Sequence, residues 1–384
     1  MISSISFVPG LIRLNRLIAF FLMSFFVFPV SAGTATLRPE MIRVALLKGV
    51  ESVIMDGPGV IAADEEGKSL ALNFPLTVKR GRTGLSINGR NVRSLVATAP
   101  DFMLVNGKRY RGIIEVLPAD KGILVVDELD LEDYLVGLIN CEISSQWPME
   151  SIKAQAVIAR SYAIFQREAR KYATYHLESS VLDQVYDGCD IEDSRAARGV
   201  SETTGQVLTF DGRVIQAFYH SNCGGHTEAA ENVWGYPLPY LKGVDCKYCL
   251  TASSGKWQQT ISLKKIEVQL KGGAYQVYGL REIKAGERNR SGRVNELLMF
   301  TAKGIVAIPA VTFRKTIGYS VIKSTNFEVK MAGDDAVFSG AGYGHGVGLC
   351  QWGAKQRAED GFDYREILSY YYPGTSLEKI YSDR

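Results

Sequence analysis

The spacing of apolar and polar residues divides the chain into stretches of different period. Arg13 and Arg16 precede a nearly uninterrupted apolar run from Leu17 to Val30, closed by Val30-Ser31-Ala32. A basic flank, a short apolar segment and small residues form the layout of a secretory signal, with cleavage expected after Ala32. The run is about 14 residues, short of the roughly 20 that span a bilayer, and an uncleaved anchor is the competing reading. No cysteine stands at the cleavage point, which disfavours a lipoprotein. From Met41 to Val126, short apolar runs such as Ile42–Leu47 and Ile113–Leu117 alternate with glycine-containing turns. That pattern predicts a small β-rich domain.

The period changes at Asp130, a residue type suited to an N-cap. Leu131, Tyr134, Leu135, Leu138 and Ile139 then recur at helical spacing and predict one face of an amphipathic helix. The linker Ser144-Ser145-Gln146-Trp147 leads to Pro148, suited to the first turn of a second helix, where Glu150 adds favourable charge. This helix is expected to end near Arg170, and its stripe of Ile152, Ala156, Ala159 and Ala163 predicts close packing of the two helices. Strands return between Gln206 and Tyr219 around an Asp211-Gly212 turn. A second β-like block covers Thr260 to Val337, and Asp363 with Glu366 forms a capping-box pair for a last helix before Pro373-Gly374. The fold class that follows is α+β, a helical core packed with β-rich N-terminal and inserted segments. Its expected parts are a signal at 1–32, a β-rich domain at 40–126, the core at 127–245, a β-rich insertion at 246–340, and a segment at 341–384 that completes the core.

With 384 residues, 46% of them hydrophobic, the chain has apolar material for two or three domains. Lys and Arg total 44 against 41 Asp and Glu, a near balance that gives no basis for nucleic-acid binding. Export would place the cysteines at 141, 189, 223, 246, 249 and 350 where disulfides persist.

Three stretches combine ionisable side chains with backbone features that suggest a site. Glu142 comes just past the last apolar turn of the first helix, where the negative end of the helix dipole and its apolar neighbours Ile139 and Ile143 both oppose ionisation. A carboxylic acid kept protonated near neutral pH can donate to a departing glycosidic oxygen, although an ordinary helix-end carboxylate reads the same way. The segment Tyr219-His220-Ser221-Asn222-Cys223-Gly224-Gly225-His226 follows a strand but has no G-x-S-x-G elbow, which argues against a serine hydrolase. Cys223 and His226, followed by Cys246 and Cys249, have the spacing of a structural zinc site; one or two disulfides, or free thiols, fit the same residues. Three thiolates and one imidazole would close a zinc shell and leave no position for a reactive water, so any metal there would be structural. The run Gly342-Tyr-Gly-His-Gly-Val-Gly348 lacks both G-x-G-x-x-G and a Walker lysine, so it is not a nucleotide loop. Alternating glycines around His345 fit a tight backbone beside a cleft, or a packed turn. Trp352, Tyr364, Tyr370, Tyr371 and Tyr372 are read as core aromatics in preference to sugar platforms.

Taken in order, L-E-D-Y-L-V-G with C-E-I-S-S-Q-W-P, K-A-Q-A-V-I-A-R-S-Y-A, D-Q-V-Y-D-G, A-F-Y-H-S-N-C-G-G-H-T with V-W-G, and G-Y-G-H-G-V-G-L-C-Q-W-G-A with Y-Y-P-G-T resemble the SpoIID/LytB family. These stretches span Leu131 to Thr375. The resemblance implies a lytic transglycosylase that cuts between N-acetylmuramic acid and N-acetylglucosamine in peptidoglycan, preferably in strands stripped of stem peptides. Glu142 would be its acid/base, with no second carboxylate and no cofactor needed for cleavage. Gln184, Tyr219, Ser221 and His345 would position substrate, with Arg160 and Ser161 supporting them. The resemblance also implies an envelope location and brings in a cell-wall amidase as a partner. Some family members bind zinc through His and Cys just before the D-Q or C-Q pair, but here the stretch from His176 to Asp183 contains no cysteine, which puts that site in doubt. A non-catalytic wall-binding module that stimulates an amidase is the competing function.

Overall fold

Alternating residues with one apolar face make strands, and the first such run, Met41–Val50, pairs antiparallel with Ile123–Asp130 from Met41↔Asp130 to Val50↔Ile123. The structure is a computed structural model that describes residues 40–181, 183–251, 255–271 and 275–382; the expected leader lies outside the described residues. Met41–Val50 and Ile123–Asp130 are the second and third strands of a seven-stranded sheet, which shares its core with a six-stranded sheet built around Ser52–Asp56 and Leu76–Arg80. Ile42, Val44, Val53, Met55, Leu76, Val78, Leu85 and Ile87 point into one core.

That core does not stop at the end of the β-rich domain. Strand Ile123–Asp130 runs directly into helix α1, Leu131–Glu142, where the Asp130 carboxylate caps the helix by accepting from Glu132 N. The apolar face read from the sequence, Leu131, Tyr134, Leu135, Leu138 and Ile139, is fully buried. Helix α2, Met149–Ala169, begins after Pro148 and packs Ile152, Ala156, Ala159 and Ala163 into the same core. Helix α3, Ser194–Ser201, lies against α2.

The opposite side of α2, with Ala154, Val157 and Ile158, belongs to a second core. Its other walls are the hairpin Gln206–Phe210 and Arg213–Val214, turned by Asp211 and Gly212 in positive φ, and the C-terminal helices. Between hairpin and C-terminus come the short helix α4, Glu231–Trp234, then α5, Leu263–Lys271, and α6, Ala310–Ile317. The last two are α7, Gln351–Glu359, and α8, Tyr364–Tyr371, which carries the capping box between Asp363 and Glu366. Tyr364, Tyr371 and Tyr372 are buried here, as the core reading of these aromatics has it.

A third core is enclosed by α5, α6 and two three-stranded sheets, and its buried residues run from Trp257 to Phe338. Here the expectation of strands alone needs correcting. Leu263, Ile266 and Leu270 make one helical stripe, and Ala310, Phe313 and Ile317 another, each too short to stand out against alternating neighbours.

One long-range contact joins the end of the hairpin region to the C-terminal helices. Strand Tyr219–His220 pairs in parallel with Leu349–Cys350. Gly348 permits it: φ is +74°, and an added Cβ would stand 1.8 Å from the Phe218 carbonyl oxygen. Gly348→Ala is therefore expected to lower the unfolding midpoint in denaturant by more than the ordinary cost of about 1 kcal/mol for a core-edge substitution, because it adds both overlap and backbone strain.

Candidate functional site

Glu142 is the last residue of α1 and is half-buried. Its carboxylate accepts from Val185 N at 3.3 Å and from Gln351 Nε2 at 3.4 Å, and the Tyr219 hydroxyl is a third partner. Desolvation raises its pKa; the bonds from Tyr219, Val185 and Gln351 oppose that rise without cancelling it. The phenol of Tyr219 is itself held protonated by burial and by the nearby Glu142 charge, so it acts as a donor to the carboxylate. Behind it, Gln184 Nε2 donates to Tyr219 Oη at 3.2 Å, and Gln184 Oε1 accepts from Tyr134 Oη at 3.1 Å. Gln351 also reaches Gln155 Oε1 at 3.4 Å. The site is thus assembled from α1, α2, the loop at 184–185, the strand Tyr219–His220 and the first residue of α7.

The residues expected to position substrate divide into three groups. Tyr219 touches Glu142 directly. Ser221 is half-buried beside it, its carbonyl accepting from Trp352 N at 3.1 Å. Gln184 is only 1% exposed, which corrects the expectation of a substrate contact: it orients the Tyr219 hydroxyl from behind.

Arg160 and Ser161, expected only to support the substrate-positioning groups, are both fully buried. Arg160 forms a bidentate pair with Glu132 at 2.8 and 2.7 Å and donates to the Gln206 carbonyl, bracing α2 against α1 and the hairpin. Ser161 Oγ donates to Val157 O and accepts from Leu208 N, so its hydrogen-bonding capacity is used inside the core.

His345 is not placed to exchange protons. Burial, then Arg314 and Arg293, lower its pKa to about 3. Its Nδ1 accepts from Val347 N at 3.0 Å while the ring bonds the Tyr219 backbone. It is a neutral brace, with Trp234 and Phe218 around it, that holds the strand carrying Tyr219. Phe218 and Trp234 stack with ring centroids 4.0 Å apart.

Three of the four expected metal ligands converge, and one does not. Cys223, Cys246 and Cys249 are buried together, but the fourth corner is Cys350; His226 instead has its Nδ1 2.6 Å from the Thr227 carbonyl. His226 lines a cavity of about 430 Å³ together with Glu228, Asn232, Lys242 and Ser291, and Glu142 is not among its lining residues. Glu142 and its hydrogen-bond partners Val185, Tyr219 and Gln351 are all outside that lining. His176, in the stretch without cysteine, accepts from Arg43 N at 3.1 Å, and burial lowers its pKa to about 4.

Residues 119–210 match the model of the Stage II sporulation protein family, SpoIID, and residues 250–348 match a domain of unknown function, DUF8618. An uncharacterized protein of Brachyspira hyodysenteriae is 33% identical over 315 residues, covering 80% of this chain and 83% of its own length. The amidase enhancer of Bacillus subtilis is 31% identical over 292 residues, 63% of this chain but 40% of its own length. Stage II sporulation protein D of Bacillus subtilis is 26% identical over 274 residues, 66% of this chain and 76% of its own. The chain belongs to the SpoIID/LytB family.

Membership of SpoIID/LytB supports a role related to the cell wall. The helix pair α1 and α2 and the first hairpin strand, Gln206–Phe210, fall within the SpoIID match, whereas the second hairpin strand, Tyr219 and Gln351 lie beyond it. Gln351 and Gln155 carry no ionisable or nucleophilic signal, and Tyr134 reads from the sequence only as part of the apolar face of α1. The one sign of Gln351 was its place at the end of the glycine-rich motif.

Two outcomes are expected. Arg160→Ala should destabilise the fold by about 3 kcal/mol, since a buried pair loses one member, with activity per folded molecule retained; denaturant titration beside an activity assay checks this. For Glu142 the sign is opposite. A raised carboxyl pKa means that the folded state binds the proton more tightly, so stability falls as pH rises through the interval between the unfolded and folded values. Glu142→Gln should therefore melt higher than wild type at neutral pH, and the difference should vanish below the ordinary glutamate range.

Proposed function

We propose that this chain is a peptidoglycan lytic transglycosylase with Glu142 as its acid/base. The observation that carries the reading is the environment of that carboxyl: raised by burial, and held by a phenol, a carboxamide and a peptide N–H instead of a second carboxylate. Hydrolysing glycosidases use two carboxylates, one of them to activate water or attack the sugar. A single carboxyl suits a reaction in which the substrate supplies its own nucleophile.

In that reaction protonated Glu142 gives its proton to the glycosidic oxygen between N-acetylmuramic acid and N-acetylglucosamine as the C1–O bond breaks. The resulting carboxylate takes the proton of the muramic C6 hydroxyl as its oxygen bonds to C1. A 1,6-anhydro end forms, no water is consumed, and Glu142 returns to its acid form. Tyr219 and Gln351 are suited to this cycle because they donate to the carboxylate in its ionised half and so limit the penalty of burial. The basic and apolar segment from Arg13 to Ala32 supports action in the cell envelope, after export.

Similarity to an amidase enhancer favours a second reading, a non-catalytic activator of a cell-wall amidase. One experiment separates the two. Full-length protein is incubated with denuded glycan strands, and the products are weighed. The transglycosylase reading expects sugar ends one water lighter than hydrolysed ends, and a loss of about 10³-fold in rate for Glu142→Gln. Wild type that yields no anhydro ends, or a variant that yields as many, overturns it. Amidase stimulation that survives Glu142→Gln unchanged, without anhydro products from either protein, establishes the activator.

A further inference from the structure

The four cysteines that converge behind the site come from three separate segments. Cys223 follows the strand Tyr219–His220, Cys246 and Cys249 are spaced C-x2-C at the turn Lys247–Thr251, and Cys350 ends the strand Leu349–Cys350. All four side chains are at most 1% exposed, and their sulfurs lie within 4.8 Å of one another. A tetrahedral zinc with Zn–S bonds of about 2.3 Å separates its sulfurs by about 3.8 Å, which matches a cluster of this size.

Two independent features indicate that the cluster is built to carry negative charge. The first is hydrogen bonding to sulfur: Cys223 N donates to Cys350 Sγ at 3.3 Å, and the Tyr371 hydroxyl lies 3.1 Å from Cys246 Sγ. Donors of this kind surround metal-bound thiolates and lower their charge density. The second is Arg293, 1% exposed, which enters from the third core. It donates to the carbonyls of Cys223 at 2.6 Å and His226 at 2.9 Å, its Nε has no partner, and it forms no ion pair among the described residues. Its Nη1 also donates to the Ser291 hydroxyl at 3.2 Å, which in turn donates to the buried Glu228 carboxylate at 2.8 Å, so Glu228 supplies one opposite charge through that hydroxyl. Four neutral thiols add nothing to that pairing, whereas four thiolates around Zn²⁺ place a net charge of −2 beside the guanidinium.

We propose that Cys223, Cys246, Cys249 and Cys350 bind one structural Zn²⁺ as four thiolates, with Arg293 as a neighbouring positive charge that offsets part of the cluster's negative charge. Binding displaces four protons from the thiols and changes no oxidation state. The shell is closed by protein sulfur, so the ion has no position for substrate or water and serves to tie chain segments together. Cys350 immediately precedes Gln351, and Cys223 lies four residues after Tyr219, so the ion clamps the two strands that deliver both donors to Glu142. The segment between these two cysteines contains the whole third core, which the metal pins at its base.

The test uses the full chain, purified without chelator and then with cobalt replacing the native metal. Elemental analysis is expected to give one zinc per chain, and alkylation to spare four of the six thiols until the metal is removed. The cobalt protein should show the thiolate charge-transfer and d–d absorption of tetrahedral S₄ coordination. His226→Ala should keep its zinc and the same cobalt spectrum, while Cys141→Ser and Cys189→Ser should not alter either. Iron in place of zinc, disulfides among these four cysteines, or a folded metal-free protein with reactive thiols overturns the proposal. So does zinc loss in His226→Ala. Because Cys350→Ser removes a corner of a buried core and can unfold it, the wild-type cobalt spectrum is the deciding readout. It distinguishes four sulfur ligands from three without relying on that variant.

Discussion

The pairing of Tyr219–His220 with Leu349–Cys350 is small, two residues from each strand, yet it places the site. Gln351 and Glu142 are 209 positions apart in the chain and are brought together because α7 starts where this pairing ends. Glycine at 348 lets the second strand pass against the Phe218 carbonyl, and glycine at 346 leaves room for the Arg293 guanidinium, 2.5 Å from where a Cβ would stand. Closing so long a loop costs chain entropy, but the cost grows only slowly with length, so a loop that holds the whole third core can be accommodated without opening the strands.

Within that frame the properties of Glu142 follow from a balance. Burial opposes its charge; three donors favour it; burial prevails, and the pKa rises. With hydrogen bonds of 3.3 and 3.4 Å, Val185 and Gln351 hold the ionised form loosely. A closer, stronger set would turn the acid into a permanently ionised carboxylate unable to protonate a leaving group. Tyr134, Gln184 and Gln155 form the layer that fixes this balance, and none of them needs to meet the substrate.

Periodicity and end signals made much of the framework legible. The apolar face of α1, its Asp130 cap, the entry of α2 after Pro148, the Asp211-Gly212 turn and the Asp363/Glu366 box are all local patterns, and the structure contains each of them. Helices α5 and α6 have only two or three turns inside β-rich sequence, so their stripes did not separate from the alternating background. Non-local choices were harder. Sequence spacing joined Cys223 to His226 because they are neighbours, whereas the residue beside Cys223 in space is Cys350, 127 positions away. Arg160 and Ser161 lie in a family motif, and only their burial shows that they hold helices together. Membership of SpoIID/LytB supports a cell-wall role, and the proposed reading gives that role a chemical form at the Glu142 carboxyl.

The direct test of that form is the ionisation of Glu142 itself, followed by ¹³C NMR of side-chain-labelled glutamate with its resonance assigned by difference against Glu142→Gln. A midpoint above the ordinary glutamate value of about 4.3 is expected, rising further in Tyr219→Phe as a donor to the carboxylate is lost. A midpoint at or below that value, unmoved by Tyr219→Phe, would contradict the account.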